Sequence, residues 1–430
     1  MMQKSNSATD YRNELESRGT LPEGFSTGFT GLSFSPAELG ADQKMEMNLS
    51  LLLLDESTSS FAGTFTKNLF PGAPVLLCRK RLENDSFRGI IINNKIANVC
   101  IETGVDDSEK IINTAAEEIG CGPDQLMSSS TGVIGWRLPV SDMIKAVPEA
   151  VKAAKDDNHR NAVTLSERIM TTDSFPKLRS RTLAGGRITA VAKGAGMIEP
   201  NMATMLCFIM TDLDISREAL REMLPGVVAE TFNRISVDSD QSTSDMVIAA
   251  STNKIACPDI KEFRDALYDV CSELAEDIVR NGEGTSHVIR VCVDGAASVE
   301  DACAIGKALV NSPLVKTAVA GNDPNVGRFA SSIGDYCGNN GINLPAEKME
   351  MKLGGEIIFS GGVFRMTPDK ELRLVAYLKD CGTIPEHKGW PVHEKTVNID
   401  INIGMGNSQS IILGSDLTHE YVRENADYRT

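Results

Sequence analysis

The feature that most constrains the fold is an alternation of short apolar runs with amphipathic stretches along the chain. Strands place side chains on alternate faces, whereas helices repeat about every 3.6 residues, so interleaving the two patterns argues a mixed α/β class. Strands are expected at Asn48–Leu54, Ala73–Cys78, Gly89–Ile92, Arg187–Ala192, Met205–Thr211, Val288–Val293, Leu372–Leu378 and Val397–Ile403. Helices are expected at Asp107–Ile119, Ser141–Lys155, Ser216–Phe232, Ile260–Val279 and Glu300–Val310. Ser141, Ser216 and Asp259 stand where N-caps belong, and Pro148 and Pro225 predict two kinked or shortened helices. Met205–Met210 is apolar throughout, the pattern of a strand buried on both faces, whereas Leu372–Leu378 alternates only weakly.

No Pro/Ser-rich linker divides the 430 residues, although a prior of about 150 residues per domain suggests two or three units. Acidic residues outnumber basic ones, 59 to 43, and the formal charge of −16 repels phosphate backbones, which argues against a nucleic-acid partner. A local pocket can still be positive inside an acidic shell. The ten cysteines are scattered without a CxxC pair, as small buried hydrophobes in a reducing compartment would be, and the spacing suits neither zinc nor a disulfide framework. Met1 to Thr20 carries Asp10, Glu14 and Glu16 and no apolar core, unlike a targeting segment. Runs such as Leu51–Leu54 fall far short of the ~20 apolar residues of a membrane helix. A cytoplasmic protein without membrane partners is expected.

The chemistry concentrates at one junction. Gly185-Gly186-Arg187 and Lys193-Gly194-Ala195-Gly196 punctuate the chain before Met202-Ala203-Thr204 and the apolar strand. A Thr entering a buried strand after a tight loop has its hydroxyl held by the scaffold. If the Ala203 carbonyl lies within reach, attack gives an N→O acyl shift and then chain cleavage. The released Thr204 would carry its hydroxyl beside its own α-amine, whose unperturbed pKa of about 7.7–8.0 suits a general base near neutral pH. Nucleophile and base then come from one residue. The five histidines at 159, 287, 387, 393 and 419 fit that reading, since none lies in HExxH and no GxSxG elbow is present. On residue chemistry alone, Thr204 can equally be an ordinary β-branched strand residue.

The run from Lys193 to Leu206, Lys-Gly-Ala-Gly-Met-Ile-Glu-Pro-Asn-Met-Ala-Thr-Met-Leu, closely resembles the self-cleaving site of the ornithine acetyltransferase family, also called glutamate N-acetyltransferase. Further segments resemble the family in order. They are Thr66-Lys67-Asn68, Ala73-Pro74-Val75, Ser130 to Gly135, Thr171-Thr172-Asp173, Phe175-Pro176-Lys177, Asp238 to Asp245, Gly282-Glu283-Gly284, Asn311 to Thr317, Gly321 to Asn325 and Asn425 to Thr430. The resemblance runs from about Gly24 to the C-terminus.

It implies layered sheets flanked by helices, an α/β (α+β) architecture similar to the threonine-nucleophile, DmpA-like fold. It also implies cleavage between Ala203 and Thr204 into an α chain, 1–203, and a β chain, 204–430, which remain one folded unit. Thr204 would take acetyl from N²-acetylornithine and pass it to glutamate, without metal or organic cofactor; acetyl-CoA as a second donor stays open. Thr131 and Gly132 would form the oxyanion hole, where a hydroxyl and a backbone N–H can meet the charge of an acyl-transfer intermediate. Substrate binding would fall on Thr172, Lys193, Thr204, Glu283, Asn425 and Thr430. Lys193 suits an α-carboxylate, and Glu283 or the chain-end carboxylate suits the free ammonium of acetylornithine. A heterotetramer or larger multiple of the αβ pair is implied as well.

Each of these residues also has a plainer reading: Ser130-Thr131-Gly132 as a turn, Lys193 as a solvated strand-end lysine, Asn322-Asp323-Pro324-Asn325 as turn chemistry. Lys316 and Arg328 could add positive charge near the pocket. Four places depart from the family pattern. Asn93-Asn94-Lys95-Ile96-Ala97-Asn98 stands for Asn-Ser-Gly-Asn-Ala-Asn, and Thr285-Ser286-His287 for Ala-Thr-Lys. Val326 replaces a Trp and Met405 an Arg. His287 is therefore expected to leave a weaker, pH-dependent charge near the substrate. An amidohydrolase or aminopeptidase on the same threonine-nucleophile fold is the alternative activity, and a non-catalytic binding paralogue is a third.

Overall fold

The computed structural model describes residues 7–39, 42–156, 161–199 and 205–427. Three sheets organise the chain. The first contains β1 (Phe25–Phe34), β2 (Met45–Thr58), β4 (Phe87–Asn93) and β5 (Leu126–Ser130), in the order β1-β2-β4-β5. The second contains β3 (Phe61–Phe65), β6 (Lys177–Leu183), β7 (Gly186–Lys193), β8 (Leu206–Leu213) and β10 (Met246–Ile255), in the order β3-β10-β8-β7-β6. The third contains β9 (Ile235–Ser236), β11 (Val288–Ala296), β12 (Glu350–Leu353), β13 (Glu356–Ser360), β14 (Val363–Phe364), β15 (Val397–Asn402) and β16 (Ser408–Ser415). Its order is β14-β13-β12-β15-β11-β16-β9.

The helices are α1 (Ala8–Arg18), α2 (Ala73–Arg81), α3 (Gly104–Ile119), α4 (Val140–Ala154), α5 (Ala162–Arg168) and α6 (Arg217–Glu230). They continue with α7 (Ile260–Arg280), α8 (Val299–Asn311), α9 (Pro313–Ala320), α10 (Val326–Asn339), α11 (Pro368–Cys381) and α12 (His419–Asp427).

The first two sheets pack face to face, with helices on both outer sides. Leu52 and Leu54 of β2 meet Phe208 and Met210 of β8 in the core between the sheets. The other face of β2 sends Leu49, Leu51 and Leu53 under α3 and α4, while Cys207 and Ile209 of β8 turn under α6 and α7. Both strands are sandwiched, which is why their sequences run apolar without alternation. The third sheet builds its own core with α8, α10 and α11 around Val291, Ile399 and Phe329.

Two expected strands are helices. Ala73–Cys78 lies in α2, where Pro74 occupies the first turn behind Gly72, and Val75, Leu77 and Cys78 are buried. Leu372–Leu378 lies in α11, capped by the Thr367 side chain on Lys370 N. Its buried residues Leu374, Leu378 and Cys381 follow helical spacing, while Leu372 is 71% exposed. Ser216 and Asp259 cap α6 and α7 as expected, but α4 begins at Val140 with Pro139 at its cap, which puts Ser141 inside the helix. Pro148 does not shorten α4; α6, which contains Pro225, stops two residues short of the expected Phe232. Cys78, Cys207, Cys271, Cys337 and Cys381 are buried, whereas Cys100 is exposed. No described helix is long and apolar enough to cross a membrane.

Candidate active site

The site lies at one edge of the second sheet, where register aligns four strand ends. Leu206 of β8 pairs with Lys193 of β7 on one side and Met246 of β10 on the other, and Met246 pairs with Phe65 of β3. Just beyond that row, Thr66 N donates to Asp245 O at 3.1 Å and Met246 N to Met205 O at 2.9 Å. The chain entering β8 therefore begins beside Lys193 and Asp245. Ala203 and Thr204, expected to form the cleavage site and nucleophile, lie outside the described residues, as does Thr430.

A cavity of about 140 Å³ opens at this edge. Thr131, Gly132, Thr172, Lys193, Glu283 and Asn425 all line it, so the structure gathers six residues scattered over almost 300 positions. Tertiary placement, not sequence proximity, makes the site.

Thr131 and Gly132 follow β5 on a loop packed against residues 93–97. Thr131 N donates to Asn93 O at 3.1 Å and Val133 N to Lys95 O at 2.8 Å. Gly132 has φ +125°, and a Cβ there would stand 2.1 Å from the Lys95 carbonyl carbon, so only glycine fits. Lys95 itself sits at φ +86°.

Thr172 is held by its neighbours. Asp173 Oδ2 accepts from Thr171 N at 3.0 Å, and Asp173 Oδ1 accepts from Gly194 N at 2.8 Å and from Lys177 Nζ at 2.5 Å. Lys177, with 0% exposure, also donates to Asn281 Oδ1 at the end of α7, two residues before Glu283. Burial alone would raise the Asp173 carboxyl, but the ammonium groups of Lys177 and Lys193 outweigh it and hold the carboxyl down to about 2. Half-buried Lys193 donates to Thr171 Oγ1 at 3.2 Å. Burial lowers its ammonium below the ordinary lysine range, while Asp173, Asp245 and Glu283 pull it back up.

Glu283 N donates to Ala195 O at 3.1 Å, and its side chain lies so close to the loop that a Cβ on Gly196 would meet Oε2 at 2.2 Å. Asn425 of α12 completes that corner, its Nδ2 donating to Glu283 Oε2 at 2.9 Å.

The cavity also uses residues to which sequence reasoning assigned no role. Asp238, Asp240, Ser242, Thr243, Ser244 and Tyr421 line it. The first five sit in the segment Asp238 to Asp245, whose resemblance was the available signal. Among the described residues, Thr243 Oγ1, Ser244 Oγ and Asp245 Oδ2 are buried without a hydrogen-bond partner. Buried polar atoms are ordinarily paired, so this segment is equipped to meet a polar ligand. Burial raises the Asp245 carboxyl well above its ordinary value, against the pull of Ser242, Lys193 and Thr66.

One expectation is corrected, and the two cations weighed as additions to the pocket lie off its lining. His287 does not line this cavity: its buried ring faces Asp416 Oδ2 at 2.8 Å through Nδ1 and Leu378 O at 3.1 Å through Nε2. Lys316 is buried beneath the site, donating to Val237 O; burial pushes it down to about 8, against the attraction of Asp416, Asp238 and Glu199. Arg328 donates to Leu314 O at 2.7 Å and Thr317 Oγ1 at 3.2 Å on α9, not into the cavity. Of the other departures, Val326 is buried at the start of α10 and Met405 is exposed. No cluster of His, Cys, Asp or Glu suited to a metal occurs among the described residues.

A layered α/β scaffold that converges hydroxyls, a depressed lysine and a carboxylate on one small cavity is the framework of an enzyme for small polar molecules. Comparison with known proteins narrows the class. The "Arginine biosynthesis bifunctional protein ArgJ" of Bartonella henselae is 36% identical over 93% of this chain and 95% of its own length. The "Glutamate N-acetyltransferase" of Methanocaldococcus jannaschii is 36% identical over 88% of this chain and 93% of its own. The crystal structure of arginine biosynthesis bifunctional protein argJ from Bacillus halodurans aligns at 35% identity over 51% of this chain and 98% of that one, with a TM-score of 0.44. The ArgJ family model matches residues 34–430, and the chain belongs to that family.

Proposed function

We propose that this chain is a glutamate N-acetyltransferase of arginine biosynthesis that carries acetyl from N²-acetylornithine to glutamate on Thr204. The observation that carries the reading is the meeting of Thr131, Gly132, Thr172, Lys193, Glu283 and Asn425 around one cavity at the edge where β8 begins.

The chain first cuts itself. Thr204 Oγ attacks the Ala203 carbonyl carbon, the C–N bond breaks as the amine takes up a proton, and water hydrolyses the resulting ester. The product is an α chain, 1–203, and a β chain with Thr204 at its N-terminus. In turnover the Thr204 amine draws the hydroxyl proton as Oγ attacks the acetyl carbonyl of acetylornithine. The Thr131 hydroxyl and Gly132 N–H meet the developing oxyanion, a contribution typically worth about 10²–10³ in rate per donor. Ornithine leaves as the protonated amine, and the α-amine of glutamate then attacks the acetyl ester and restores free Thr204. Lys193 binds the α-carboxylate common to both substrates, and Glu283, oriented by Asn425, binds the ammonium of acetylornithine. The exchange of one amide for another needs no ATP, metal or organic cofactor, and the αβ pairs assemble into heterotetramers or larger multiples in the cytoplasm.

The test is release of ornithine from acetylornithine with and without glutamate. Formation of N-acetylglutamate with ping-pong kinetics supports the transferase; equal ornithine release with water as the only acceptor marks an amidohydrolase instead. Release of free coenzyme A with formation of N-acetylglutamate from acetyl-CoA and glutamate tests the second donor.

A further inference from the structure

We propose that Asp238 is a positioning residue for the cut at Ala203–Thr204, its two carboxylate oxygens holding the preceding loop in the turn from which the chain reaches the scissile bond. This rests on the self-cleavage reading above and adds the device that aims the bond.

The loop 194–199 leaves β7 through two unusual backbone conformations, Gly194 at φ +156° and Met197 at φ +56°. Glycine accepts such a φ freely, but for methionine the left-handed region is sterically costly and persists only where surrounding contacts impose it. Asp238 imposes it. Its Oδ2 accepts from Met197 N and its Oδ1 from Ile198 N, each at 2.7 Å. Hydrogen bonds to a carboxylate are stronger than neutral ones, and two of them on successive N–H groups fix direction as well as distance.

The rest of the hold is continuous with this grip. Val237 N donates to Ile198 O at 2.6 Å and Glu199 N to Asp240 O at 2.9 Å, so residues 198–199 lie paired along 237–241. The Glu199 side chain is held by Asn311 Nδ2 and lies 3.4 Å from Lys307 Nζ. Asn311 Oδ1 in turn accepts from Ser236 Oγ at 2.6 Å. From below, Lys316 donates to Val237 O. The Asp238 carboxyl is raised by burial, while the two N–H donors of Met197 and Ile198 pull it down toward the charged form that grips them.

The last held residue, Glu199, is four positions before Ala203. Acyl shift needs the hydroxyl and the carbonyl carbon at contact distance in the correct orientation, and such pre-positioning is worth orders of magnitude in rate. A loop free at Met197 would sample many approaches; one clamped at 197–199 samples few. Asn311, Lys316 and Asp238 thereby gain a role that the segments Asn311–Thr317 and Asp238–Asp245 did not reveal as sequence.

The test is a time course of cleavage for the full chain made by cell-free synthesis and followed by denaturing electrophoresis. Asp238→Asn is expected to slow cleavage by about tenfold or more. Adding Met197→Gly, which reaches φ +56° without the clamp, is expected to restore at least about threefold of that loss. A merely structural lesion would not be rescued by that substitution. Asn311→Ala loosens the same loop from Glu199 with the carboxylate intact, and it reads the clamp should Asp238→Asn fail to fold; several-fold slower cleavage is expected. Wild-type rates in Asp238→Asn or Asn311→Ala, or no gain from Met197→Gly, would overturn the positioning role. A wild-type chain that never cuts at Ala203–Thr204 would instead overturn the self-cleavage reading itself.

Discussion

Asn425 donates its side-chain Nδ2–H to Glu283 Oε2 across 2.9 Å, tying the last helix to the turn that follows α7. The two residues are 142 positions apart, and the bond fixes which way the carboxylate points into the cavity. Asn425→Ala is expected to raise the KM for acetylornithine by about tenfold, the equivalent of ~1.4 kcal/mol, with a smaller effect on kcat. Steady-state kinetics with each substrate varied in turn checks this. An unchanged KM would remove Glu283 from ammonium recognition.

Lys193 carries a prediction in pH. Burial lowers its ammonium below the ordinary lysine range despite Asp173, Asp245 and Glu283, so the cation is lost at a lower pH than for a free lysine. Binding of the α-carboxylate should fade on the alkaline side accordingly. Lys193→Arg, whose guanidinium stays charged, is expected to shift that alkaline limb of kcat/KM upward. Lys193→Met should raise KM for both substrates. An alkaline limb unmoved by arginine would assign it to another group.

The Asp173–Lys177 pair should dominate acid sensitivity around the site. Asp173→Asn leaves Lys177 buried without its charge partner and is expected to cost about 3–5 kcal/mol. The native carboxyl is held down to about 2, below its unfolded value of about 3.9. Its stabilisation is therefore fully present above about pH 4–5 and lost as pH falls through about 2. Urea unfolding at several pH values should show the gap between wild type and Asp173→Asn narrowing over that window.

Lys95 and Gly132 form a backbone contact with opposite tolerances. Lys95→Gly relieves a left-handed lysine at φ +86° and is expected to stabilise the fold by about 1 kcal/mol. Gly132→Ala would drive a Cβ to 2.1 Å from the Lys95 carbonyl carbon, so it should abolish transfer by displacing the Thr131 loop. Thermal melting and ornithine release read the two effects.

Much of the scaffold was legible because burial on both faces writes itself as an unbroken apolar run, as in β2 and β8. Ala73–Cys78 and Leu372–Leu378 misled for a local reason. Short apolar stretches carry no decisive period, and the deciding signals were Pro74 and the Thr367 cap just outside or at their edges. At the site, residue chemistry alone reached only Ala203–Thr204; the converging partners came from resemblance, because Thr131 and Asn425 meet solely through tertiary structure. His287 misled because its partner Asp416 lies 129 residues away and draws the ring inward. Asp238 was invisible in its role for the same reason: its ligands are backbone N–H groups, which no side-chain motif encodes.

The most direct test of the account is denaturing mass spectrometry of the purified protein, before and after addition of acetylornithine without glutamate. The account predicts two fragments, 1–203 and 204–430, with one acetyl group appearing on Thr204 of the second and leaving when glutamate is added. An uncut 430-residue chain after long incubation, or acetyl found on neither fragment, would contradict it.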